Sequence, residues 1–86
     1  MKATDLIKLQ RKRGVLEIQR MINDGSVWHM EGSMGRLAMQ LLRSGECYLP
    51  TDSFRDYYGN RVPSRDELED GTTGTLQNSI NFYNNI

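Results

Sequence analysis

A chain of 86 residues, 37% hydrophobic and 26% charged, supports one small core and is too short for two. No apolar run approaches the roughly 20 residues of a membrane-spanning helix, and residues 1–10 lack the continuous apolar stretch of a signal peptide. The one cysteine, Cys47, excludes an internal disulfide and suits a reducing, cytoplasmic setting. Formal net charge is zero but unevenly placed: residues 1–43 carry eight Lys/Arg against four Asp/Glu, and residues 44–86 carry three against seven. Such halves either complement one another within the fold or a homodimer, or orient the molecule toward a charged partner.

In chain order, residues 4–23 predict helix with a break near Gly14, because Arg11 falls on the stripe of Ile7, Val15, Ile18, Met21 and Ile22 and glycine weakens a helix interior. The first segment runs from Thr4 or Asp5 to about Lys12, so that residues 1–13 read as a basic, partly flexible helix; the second runs from Val15 to Asn23, stopped by Gly25. Lys8, Arg11, Lys12 and Arg13 form the strongest positive cluster, a candidate phosphate contact. A solvated helix face is the commoner fate of such a run without interleaved aromatics.

Residues 26–30 read as a short β-like run, with Trp28 at the edge of the core and His29 turned outward. The clearest element follows. Ser33 is a suitable N-cap, Met34, Leu37, Ala38, Leu41 and Leu42 make one helical stripe, and Gly45 is the stop. Residues 21–30 and 41–50 form a weak repeat at a 20-residue offset, each a helix end, a glycine and a short strand. Two such strands flanking a helix predict a right-handed parallel crossover, with Pro50 ending the second.

Beyond Pro50, residues 58–61 make a plausible tight turn joining two short strands, with Gly59 and Asn60 tolerant of positive φ. Ser64 and Glu67 have capping-box spacing, with Pro63 and Leu68 placed as a hydrophobic staple, and Gly71 ends that turn. Leu76, Ile80 and Tyr83 then predict a last short helix to about Asn84, its other face rich in asparagine and dependent on tertiary packing.

Chemistry-bearing patterns are sparse. One His and one Cys cannot assemble a four-ligand zinc site, and Asp66, Glu67, Glu69 and Asp70 lack calcium-loop spacing. Gly32-Ser33-Met34-Gly35-Arg36 superficially matches an anion loop but has neither phosphate-binding glycine pattern, and Ser33 capping explains it locally. Cys47 lies in an apolar run and reads as an inert thiol. No cofactor is expected. The segment most suited to contact is residues 54–65, where Arg55, Tyr57, Tyr58, Asn60, Arg61 and Arg65 combine the residue types enriched at binding hot spots. The alternative is that its tyrosines close the open side of a small core.

Three segments, Met30-Glu31-Gly32-Ser33-Met34-Gly35-Arg36, Gly45-Glu46-Cys47-Tyr48-Leu49-Pro50 and Asp56-Tyr57-Tyr58-Gly59-Asn60-Arg61-Val62-Pro63-Ser64-Arg65, carry a resemblance. Together they resemble small accessory open reading frames of tailed phages with an E-G-S-x-G-R…D-Y-x-G-N-x-V-P-S-R pattern, over about residues 26–75. No established activity comes with that group. The resemblance implies a non-structural phage protein acting in the bacterial cell, where it binds and modulates or inhibits a host or defence protein. The basic N-terminal segment lies outside it.

The expectation is therefore an α+β single domain with about three short helices and a small two- or three-stranded sheet. Its expected function is non-catalytic protein binding through the Tyr/Arg loop, without membrane association. A small nucleic-acid binder using Lys8, Arg11, Lys12 and Arg13 is the alternative; an enzyme is disfavoured because one His and one Cys leave few acid–base groups beyond carboxylates.

Overall fold

The computed structural model describes residues 13–30 and 32–85. Among them are three α-helices, α1 (Arg13–Asn23), α2 (Gly32–Ser44) and α3 (Leu76–Asn84), and an antiparallel pair of two-residue strands, β1 (Phe54–Arg55) and β2 (Arg61–Val62). Two short 3-10 turns, Ser26–His29 and Arg65–Glu67, complete a small α+β fold of the expected class.

On α1, Ile18 and Ile22 are buried and Val15 and Met21 are half-buried beside them, as their spacing requires. Gly14 sits within the first turn of α1, which begins at Arg13, two residues before the expected Val15. The expected segment ending at Lys12 lies outside the described residues. Helix α2 begins at Gly32, so Ser33 occupies its first turn and is not the residue preceding it. Ala38, Leu41 and Leu42 enter the core, whereas Leu37 remains 38% exposed. At 100° per residue Leu37 lies about 90° around the helix from the centre of that trio, off the face that enters the core.

The expected strand at residues 26–30 is a 3-10 turn. Its backbone closes on itself: Trp28 N–H donates to the Gly25 carbonyl (3.3 Å) and Met30 N–H to that of Val27 (3.4 Å), while Asp24 Oδ1 accepts from Ser26 N–H (2.8 Å). Residues 46–49 form no strand either. In place of one strand partner, Cys47 N–H donates to the Leu41 carbonyl (3.0 Å), Leu49 N–H to that of Gly74 (2.8 Å), and Tyr48 between them is held by a side chain. Gln19, buried on α1, accepts from Tyr48 N–H through Oε1 (3.0 Å) and donates through Nε2 to the Tyr48 carbonyl (2.8 Å). The parallel crossover through α2 is therefore absent. The 20-residue repeat survives only in its helix–glycine half, where Gly25 and Gly45 both take positive φ (81° and 96°).

Gly25 also lies against the hairpin. A Cβ there would meet the Phe54 ring at 2.6 Å, so β1 packs directly on the turn between α1 and the first 3-10 segment. At the other end, α3 is held by its polar residues. Thr75 caps it by accepting from Asn78 N–H (3.2 Å), Asn78 Nδ2 donates to the Leu42 carbonyl (3.1 Å), Ser79 Oγ donates to that of Gly45, and Tyr83 OH to that of Glu46 (2.7 Å). The Asn78 bond satisfies a carbonyl that the end of α2 would leave unpaired, and the Ser79 and Tyr83 bonds fasten the turn that follows it. Tyr48 and Tyr83 are buried together against Leu76, Ile80 and Phe82, a satellite to the core built from Ile18, Ile22, Val27, Leu42, Cys47 and Leu49.

Candidate functional site

The antiparallel register pairs Phe54 with Val62 and Arg55 with Arg61. Phe54 and Val62 are half-buried, with Val62 packed on the core, so the two arginines share the opposite, exposed face. Like charges directly opposite one another oppose pairing, and here each guanidinium has its own acceptor. Arg55 Nη1 donates to the Gly59 carbonyl (2.9 Å), and Arg61 pairs with Glu67 (2.5 Å). The Glu67 carboxylate also accepts from Ser64 N–H (2.8 Å), closing the capping box expected from the sequence. The Ser64 N–H and then the Arg61 guanidinium hold this carboxyl below the usual glutamate range.

Between the strands, Asp56 organises the loop. Its Oδ1 accepts from the N–H groups of Tyr58 (2.9 Å) and Asn60 (2.8 Å), and its carbonyl accepts from Gly59 N–H (3.0 Å). Its own N–H donates to the Asn60 carbonyl (2.9 Å). Tyr57 N–H donates to the Trp28 carbonyl (3.1 Å), fixing the tip to the first 3-10 turn. The tight turn thus spans residues 56–59, two residues earlier than expected, and Gly59 but not Asn60 takes positive φ. An aspartate ahead of a Tyr-Tyr-Gly-Asn turn is an Asx-turn signal; it is the feature the sequence reading missed.

This framework displays two large aromatics. Tyr57 is 73% and Tyr58 84% exposed, their rings T-shaped with centroids 5.4 Å apart and planes at 87°. Beside them opens a groove of about 450 Å³, bounded by residues 27–30, by Gly32 and Gly35 at the start of α2, and by residues 56–58. Trp28 forms one wall; it is half-buried, and its Nε1–H is buried without an acceptor. Met30 at the rim is exposed, as is His29.

The structure brings Arg55, Tyr57, Tyr58, Asn60 and Arg61 together on one hairpin. Arg65 stands apart from that tip. Its N–H donates to the Pro50 carbonyl (3.0 Å), its guanidinium lies 5.4 Å from the Tyr48 ring centroid, and it borders a smaller depression with Asp66, Leu76 and Ile80. Of the basic cluster, Arg13 is exposed at the start of α1, and Lys8, Arg11 and Lys12 lie outside the described residues. Cys47 is buried, its Sγ 3.8 Å from the Val15 carbonyl.

Among the described residues the ion pairs are Glu17–Arg20 and Arg61–Glu67, each within one half of the chain. The opposite charges of the two halves are not joined by them. Also among the described residues, no three His, Cys, Asp or Glu side chains converge as metal ligands, and no helix is long and apolar enough to cross a membrane. No protein family, characterised sequence or solved structure matches this chain.

Proposed function

We propose that this protein is a non-catalytic binding module that engages another protein through the β1–β2 hairpin tip, with Tyr57 and Tyr58 as anchors and Arg55, Asn60 and Arg61 around them. Following the phage resemblance, the partner is a host or defence protein of the bacterial cell, which binding modulates or inhibits. The observation that carries this reading is the exposure of both tyrosines on a loop tied by Asp56 and by the Tyr57–Trp28 backbone bond. Large aromatics held in place before binding lose little conformational freedom on contact, and that is the character of hot-spot residues. The surroundings favour a protein over a phosphate backbone. Residues 51–70 carry six carboxylates against three arginines, and each arginine already has an intramolecular acceptor or ring.

The test is capture from bacterial lysate by wild type and by Tyr57→Ser/Tyr58→Ser, with thermal melts confirming that both are folded. A species retained by wild type and lost from the variant is the expected result; equal retention overturns the reading.

A further inference from the structure

We draw no further inference here: the strongest candidate, the groove between the first 3-10 turn, the start of α2 and the hairpin tip, has the Asp56 carboxylate on one side and the Arg36 guanidinium beside Gly32 on the other, and nothing in the structure shows what covers it.

Discussion

Gln19 joins two distant parts of the chain with a single amide. Its Oε1 and Nε2 take both backbone groups of Tyr48, and Nε2 also donates to Asn23 Oδ1 (2.8 Å). Replacing it with Leu leaves a buried N–H and C=O unpaired, each worth about 1–3 kcal/mol. Gln19→Leu should therefore lose about 2–4 kcal/mol and lower the melting temperature by roughly 10–20 °C for a domain this size, read by thermal circular dichroism; a shift of only a few degrees would mean that the amide is dispensable. Glu67 makes a prediction about acid. Its folded pKa lies below the unfolded one, held there by Ser64 N–H and Arg61, so its contribution is fully present above about pH 4.3 and is lost as pH falls through the depressed value. Glu67→Gln should flatten the acid limb of the stability profile relative to wild type, with little change near pH 7 in its slope. An unchanged acid limb in urea melts from pH 5 to 2 would contradict the assignment.

The hairpin is an element of four strand residues, too small to persist by its ladder alone. Its order comes from Asp56, from Phe54 against Gly25, and from the Tyr57–Trp28 bond. Asp56→Ala should thus raise the amide exchange of Tyr58 and Asn60 by about tenfold or more while α1 and α2 retain their protection, measured by hydrogen–deuterium exchange; unchanged exchange at both amides would show that the loop is held by other means. What was legible in the sequence follows from what was local. The apolar stripes of α1 and α2, the Gly45 stop, the Ser64–Glu67 box and the α3 face depend on neighbours within a few residues, and among the described residues these appear in the structure, Leu37 apart. The two expected strands failed because strand pairing is non-local. Residues 26–29 had enough local acceptors to close a 3-10 turn, and residues 46–49 met the Leu41 and Gly74 carbonyls and the side chain of Gln19 instead of a ladder. At the site, the exposed residue types were readable one by one. The groove was not, because Trp28 and Tyr57 meet only after the chain folds back by 29 residues.

At the scale of the molecule, the side-chain hydrogen bonds that cross between the basic and acidic halves among the described residues include the neutral pairs Gln19 to Tyr48 and Asn78 to Leu42. Raising salt from about 0.05 to 0.5 M should therefore change the melting temperature by only a few degrees, since the described ion pairs are exposed and each such pair is worth about 0–1 kcal/mol. A steep loss of stability would reveal charge pairing between the halves. The same salt series separates the two partner classes. A DNA mobility shift that weakens steeply with salt would restore the basic N-terminal cluster as the contact surface, whereas a partner anchored by Tyr57 and Tyr58 should stay bound. The most direct measurement is the lysate capture with wild type and Tyr57→Ser/Tyr58→Ser at matched folding. A protein held by wild type at moderate salt and absent from the variant is the predicted result; a protein held equally by both, or none held by wild type, would contradict docking through the hairpin tip.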